Sequence, residues 1–351
     1  MTTPLFAAMR QDQLDAAVDA LSTAAANGRG FAAALYVRQG NSVLAKSFGA
    51  SKSVDDIFLL ASISKPISAT ALMTLYDRGQ FQLDDPVKKF IPQFTGDGRE
   101  KITVRQLLTH VSGLPDQLPE NQSLRERHAK LAEFVDRAIR TPLLFNPGAR
   151  YQYSSMAILL ASEVAQRISG SDFLRFVDEV VFQPLEMKRS ALGLGRFTLE
   201  QTIRCQVEHA APESGAGDPS AKAWDWNSPY WRRLGSPWGG AHGSAPDVAR
   251  FFGEFLHPTG RVVKPDTARL MVRNHNPAGL TPYGLGFDVG SKAGSPGCSQ
   301  TTFGHSGATG TLAWSDPKSE AICVVLTTLP SRAVKPHPGR LASDHVAQAV
   351  R

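Results

Sequence analysis

Ser62 and Lys65, in the stretch Ala61-Ser62-Ile63-Ser64-Lys65-Pro66, are the two residues of this chain best spaced to do chemistry together. If a helix opens near Ser62, they lie one turn apart on the same face. A serine hydroxyl is a weak nucleophile at neutral pH and needs a base or a strong local field beside it. A lysine one turn on supplies the base, and the start of a helix puts the hydroxyl near the positive end of the helix dipole. The chemistry such a pair serves is acyl transfer through serine.

The surroundings of the pair decide how it is read. An apolar run, Ile57-Phe58-Leu59-Leu60-Ala61, precedes it, and a helix-like stretch from Ile67 to Tyr76 follows, ending near Gly79. A second S-x-x-K, Ser315-Asp316-Pro317-Lys318, has proline in the middle and reads as a turn between strands. The plain alternative for Ser62 is a helix N-cap, with Pro66 opening the helix and Lys65 in solvent. The stretch by itself leaves both readings open.

The elements that would position the pair follow from periodicity. Residues 11–27 have a helical repeat that stops at Asn27-Gly28. Phe31 to Val37 and Val43 to Phe48 read as a hairpin around Gln39-Gly40-Asn41. From about 80 to 235 the pattern is helical pieces with long polar loops, with helices expected over 104–110, 131–140, 155–168 and 172–182. Residues 211–222 read as an exposed loop. A helix over 247–255, strands over 284–289, 311–315 and 321–328, and a last helix over 342–350 complete the chain. Strands at both ends with helices between predict an α+β fold. One antiparallel sheet is assembled from the two termini and flanked by helices, beside a mostly helical second lobe. The expected organisation is a single unit over 1–351, with a sheet lobe of about 1–78 plus 240–351 and a helical lobe of about 79–239.

Composition bounds the rest. The chain has 351 residues, 42% of them hydrophobic, which is enough for one large domain or two closely packed lobes. No apolar run is long enough to span a membrane, and Met1 to Gln11 carries no leader-like apolar core. Cys205, Cys298 and Cys323 are few, odd in number and widely spaced, which predicts no disulfide framework and a cytoplasmic location. The net charge of +6 is spread along the chain without a basic run, so no nucleic-acid partner and no membrane partner are expected. None of the nine histidines has H-x-x-x-H or H-E-x-x-H spacing, so no metal is expected. No serine lies in G-x-S-x-G, which removes the α/β-hydrolase elbow. Gly284-x-Gly286-x-x-x-Gly290 leads into Ser291-Lys292-Ala293-Gly294-Ser295-Pro296, which cannot open the helix a dinucleotide site requires.

Several ordered motifs now carry a family resemblance. Ser62-Ile63-Ser64-Lys65 is followed by Tyr151-Gln152-Tyr153-Ser154-Ser155 and by His305-Ser306-Gly307. Between them come Leu107-Leu108-Thr109-His110-Val111-Ser112-Gly113-Leu114, Gly239-Gly240-Ala241-His242-Gly243-Ser244 and Tyr283-Gly284-Leu285-Gly286. Together, over roughly residues 30 to 330, the chain resembles the serine β-lactamase and penicillin-binding-protein superfamily. The likeness is greatest to its class C-like branch, which includes family VIII carboxylesterases and D-aminopeptidases.

The resemblance implies a site. Ser62 is the nucleophile, with Lys65 and Tyr153 as proton-transfer groups. The backbone N–H groups of Ser62 and Ala308 form the oxyanion hole, and no cofactor is used. Ser155 stands where the branch usually has asparagine, and His305, with Ser306 and Gly307, stands where K-T-G lies beside the substrate. A neutral imidazole binds a carboxylate poorly, so the expected activity is a carboxylesterase on small to medium neutral esters. β-Lactamase, DD-peptidase, D-amino-acid amidase and acyltransferase are the alternatives, and a non-catalytic, assembly-forming relative is the rival of another class. Tyr153 would need Lys65 close by to favour its ionised form, since a phenol titrates near ~10. Trp224, Trp226, Trp231 and Trp238, with Tyr230, read either as pocket walls, Trp238 among the substrate-binding residues, or as core packing. His110 reads as a structural hydrogen-bonding residue.

Overall fold

The computed structural model describes residues 9–28 and 30–350. Residues 1–8, part of the stretch read for a leader, lie outside the described residues. The two chain ends build one antiparallel sheet. Its strands are β1 (Ala32–Gln39), β2 (Ser42–Gly49), β6 (Asp288–Val289), β7 (Phe303–Ser306), β8 (Leu312–Asp316) and β9 (Ala321–Thr327), in the order β2-β1-β9-β8-β7-β6. A second, small sheet joins β3 (Phe58–Leu59), β4 (Ala191–Leu192) and β5 (Ala241–Gly243), with β5 in the centre. The fold is α+β, as the sequence predicts.

Strand β9 shows why the large sheet sits where it does. Every residue of Ala321-Ile322-Cys323-Val324-Val325-Leu326-Thr327 is buried, the pattern of a strand covered on both faces. Ile322, Val324 and Leu326 enter the main core, while Cys323 and Val325 enter a smaller one. The smaller core lies under the terminal helices Gln11–Asn27 and Pro338–Ala349, through Leu21, Trp314 and Val346. The main core includes Phe251, Phe252 and Phe255 of the helix Ala245–Leu256 and continues into the helical part of the chain. The helix Ser64–Asp77 runs through its middle and is buried from Ser64 to Leu75, its buried Ser64, Lys65, Ser68, Thr70 and Thr74 each hydrogen-bonded.

The helices over 131–140 and 155–169 and the β1–β2 hairpin fall where periodicity puts them. Three expectations are corrected. The strand expected over 284–289 shrinks to two residues, because Gly286 takes a left-handed φ of 84° and the segment turns there. The helix expected over 104–110 stops at Leu108, before His110 at φ 61°. Residues 211–222 are mostly exposed, as expected, but form short helical turns that bury Ser214 and Ala221 in place of an irregular loop.

Candidate active site

Ser62 sits on a single 3-10 turn, Ala61–Ile63, between β3 and the helix Ser64–Asp77. The turn is sharp: Ala61 adopts φ 48°, a left-handed conformation uncommon for a residue with a Cβ. Three hydroxyls hold it. Ser64 Oγ donates to the Ala61 carbonyl at 2.6 Å and accepts from the Ala241 N–H at 2.9 Å. Thr309 Oγ1 donates to the Leu59 carbonyl at 2.9 Å, and Thr311 Oγ1 to the Leu60 carbonyl at 2.8 Å. These bonds draw the end of β7 and the turn after it against the Ser62 turn. At Gly307 the approach leaves no room for a side chain: a Cβ would lie 2.5 Å from the Leu60 carbonyl oxygen and 3.0 Å from the Ala61 Cβ.

Lys65 is buried, and its Nζ donates to Ser62 Oγ at 3.1 Å and to the Trp238 carbonyl at 3.0 Å. The same nitrogen lies 4.6 Å from the centroid of the Tyr153 ring. The Tyr153 hydroxyl lies near enough to Ser62 for the serine to lower its pKa, so phenol and amine both face the serine side chain. Tyr153 is placed by the start of the helix Ser155–Ser169, where Ser154 caps through a bond from the Ala157 N–H and donates to the Pro115 carbonyl at 2.8 Å.

Burial governs the titration of these groups. Loss of water around Lys65 lowers its pKa from 10.5 to about 8, against the opposing pull of Asp116 and Asp288. Burial drives Tyr153 well above the ordinary phenol range, and the opposing influence of Ser62 does not reverse this. Lys65 does lie beside Tyr153, as expected, but it meets the ring face, and burial favours the neutral phenol. A half-neutral amine beside a serine hydroxyl can take its proton near pH 8.

The residues read as substrate-binding fall into two groups. Ser306 is exposed beside the Ser62 turn and Gly307 is buried there, while Ala308, read as an oxyanion donor, is exposed and its N–H makes no hydrogen bond among the described residues. Ser155, His305 and Trp238 are buried. The Ser155 N–H donates to Asp116 Oδ1 at 2.8 Å. His305 donates from Nδ1 to the Ser306 carbonyl at 2.8 Å, which leaves Nε2 to accept from the Tyr283 hydroxyl at 3.1 Å. Both ring nitrogens are thus engaged within the protein, and burial lowers the pKa of the imidazole. Trp238 contributes its carbonyl, while its ring packs against Phe134 and Trp231 in the main core. All four clustered tryptophans are buried, and Trp226, Trp231 and Trp238 belong to the main core. Asp116, Asp288 and Tyr283 were not singled out as site residues. Only the motif Tyr283-Gly284-Leu285-Gly286 pointed towards one of them.

No group of three metal-ligating side chains occurs among the described residues. No helix among the described residues is long and apolar enough to cross a membrane.

The sequence model of the family described as Beta-lactamase matches residues 14–347. The chain belongs to the Beta-lactamase family. Members of this family are serine hydrolases, and the candidate nucleophile stands on the turn described above. The esterase EstB of Burkholderia gladioli is 37% identical over 149 residues, an alignment spanning 38% of this chain and 38% of that protein. A Salmonella enteritidis protein provisionally named a D-alanyl-D-alanine carboxypeptidase is 25% identical over 345 residues, covering 86% of this chain and 79% of its own. Among solved structures, a family VIII carboxylesterase superposes with a TM-score of 0.77 at 18% identity, covering 98% of this chain and 99% of that one. At that identity the likeness is one of fold.

Proposed function

We propose that this protein is a carboxylesterase that forms an acyl-enzyme on Ser62. Lys65 takes the hydroxyl proton, and Ser62 Oγ attacks the acyl carbon of the ester. The oxyanion is held by the N–H groups of Ser62 and Ala308. Collapse of the tetrahedral intermediate breaks the bond to the alcohol oxygen, which receives its proton through Lys65 and Tyr153. Water then repeats the sequence on the acyl-enzyme and releases the acid.

The observation that carries the nucleophile assignment is the 3.1 Å contact between a buried lysine and Ser62. The preference for neutral esters rests on His305. Its imidazole is buried and neutral, with both nitrogens occupied, so it offers no cation to a substrate carboxylate. A carboxylate without a cationic partner forfeits a charge-assisted hydrogen bond, about 1.5–3 kcal/mol or roughly ten- to a hundredfold in affinity.

A second reading, a D-alanyl peptidase, is favoured by the longer alignment with the Salmonella protein. Short p-nitrophenyl esters, nitrocefin and a peptide ending in D-Ala-D-Ala, tested side by side, separate the readings. The proposal expects kcat/KM for p-nitrophenyl butyrate to exceed that for nitrocefin by orders of magnitude, with no release of D-alanine. Equal rates on the ester and nitrocefin, or rapid peptide cleavage, would overturn it.

A further inference from the structure

Tyr153 is flanked on both sides by hydrogen bonds to one residue. The Gln152 N–H donates to the His110 carbonyl at 2.9 Å, and the Ser154 N–H donates to His110 Nδ1 at 3.2 Å. The His110 ring also packs on the phenol itself, with centroids 4.7 Å apart. It is fully buried and touches Tyr283 as well, at 4.6 Å between centroids. Because Nδ1 accepts from a backbone N–H, the ring proton resides on Nε2. That nitrogen is buried and has no hydrogen-bond partner among the described residues. An unpaired buried donor is uncommon, and such groups concentrate where function retains them. The backbone of His110 is in the left-handed region at φ 61°, a conformation that histidine and asparagine tolerate better than most residues.

We infer that His110 is the positioning residue of the catalytic tyrosine, clamping Tyr153 at the backbone on either side and at the ring, and doing so only as a neutral imidazole. Nδ1 can accept from Ser154 only while it carries no proton. A proton there would remove the clamp and add a second positive charge near Lys65. Burial beside Lys65 keeps His110 neutral, so it holds Tyr153 throughout the working pH range. The inference rests on the reading of Tyr153 as a proton-transfer group.

The test compares His110→Phe, which keeps ring bulk and loses the acceptor, with His110→Asn, which restores an acceptor at the place of Nδ1 and suits the left-handed backbone. In ester hydrolysis, His110→Phe should lose roughly 10²-fold in kcat with KM little changed, the scale of a group misplaced by about 1 Å. The pH dependence of kcat/KM should move as well, because Tyr153 no longer covers Lys65. His110→Asn should recover most of kcat and the original profile. A folded His110→Phe with wild-type kcat and profile would overturn the inference, as would equal losses in both variants. If His110→Phe does not fold, His110→Asp serves instead. It adds a charge but keeps an acceptor, so it should retain most of kcat while His110→Leu, which lacks one, should lose roughly 10²-fold; equal kcat in these two variants overturns the inference. Tyr153→Phe run alongside separates the two failures: full activity there sinks the reading of Tyr153, whereas loss there with His110→Phe unimpaired sinks only the role of His110.

Discussion

Lys65 meets Tyr153 through the face of its ring. The Nζ lies 4.6 Å from the ring centroid, while its hydrogen bonds go to Ser62 Oγ and the Trp238 carbonyl. The arrangement separates the roles of the two groups. The lysine, lowered to about 8, can cycle between amine and ammonium near neutral pH. The phenol is raised by burial, so in the proposed mechanism it relays a proton from its neutral form.

The first prediction is a pH profile. If neutral Lys65 is the base in the free enzyme, kcat/KM for a neutral ester rises with pH through an apparent pKa of about 8. Burial lowers the pKa of both His110 and His305, so neither adds a limb near 6.5. Tyr153 lies well above 10, so no phenol limb falls below that value. Initial rates between pH 5 and 10 check this. A single limb near 6.5 would point to a histidine base instead.

How much of this was legible in the sequence depended on distance along the chain. Ser62 and Lys65 were readable because one helical turn separates them. Tyr153 and the Ser306–Ala308 turn were readable as ordered motifs. The orientation of His305 was not, because Tyr283, which occupies its Nε2, is 22 residues away. Asp116 was invisible for the same reason: its partner, the Ser155 N–H, is 39 residues on. The tryptophans could be located but not assigned, since apolar residues wall pockets and fill cores alike. Strand β7 escaped periodicity because Phe303-Gly304-His305-Ser306 is too short to show alternation.

The second prediction concerns the two groups proposed to act on the Ser62 hydroxyl. Lys65→Ala and Tyr153→Phe should each reduce kcat by roughly 10²-fold or more, the usual scale for proton-transfer groups. The double variant should lose little beyond the worse single one, because both groups act on the same hydroxyl. Steady-state kinetics of the three proteins check this. Multiplicative losses would mean that the two groups act independently.

A third prediction follows from the burial of Lys65. A native value of about 8 against 10.5 costs on the order of 3 kcal/mol of stability at pH 7, at about 1.4 kcal/mol per pH unit. The sign is set by proton binding: between about 8 and 10.5 the unfolded chain holds the proton that the native lysine has released, so stability rises with pH across that window. Lys65→Met keeps the volume without the charge. It should therefore be inactive yet more stable than wild type at pH 7, by about 1–3 kcal/mol. The gain should shrink towards pH 10. Urea unfolding at pH 7 and pH 10 measures both values, and a destabilised Lys65→Met at pH 7 would show that the ammonium's contacts outweigh its burial.

The fourth prediction uses the approach at Gly307. A Cβ there would meet the Leu60 carbonyl at 2.5 Å, so Gly307→Ala must push β7 away from the Ser62 turn. Displacing the Ala308 N–H weakens the oxyanion contact, whose loss costs about 10²- to 10³-fold in kcat. Kinetics on p-nitrophenyl acetate, with circular dichroism to confirm folding, check this. A folded variant with wild-type kcat would remove Ala308 from the oxyanion hole.

The covalent step is tested most directly by mass. Incubation with a fluorophosphonate, followed by intact-mass analysis and peptide mapping, should show one adduct per chain, on Ser62. The Ser62→Ala protein should remain folded, unlabelled and inactive towards esters. Labelling at Ser315, or undiminished ester hydrolysis by Ser62→Ala, would contradict the account.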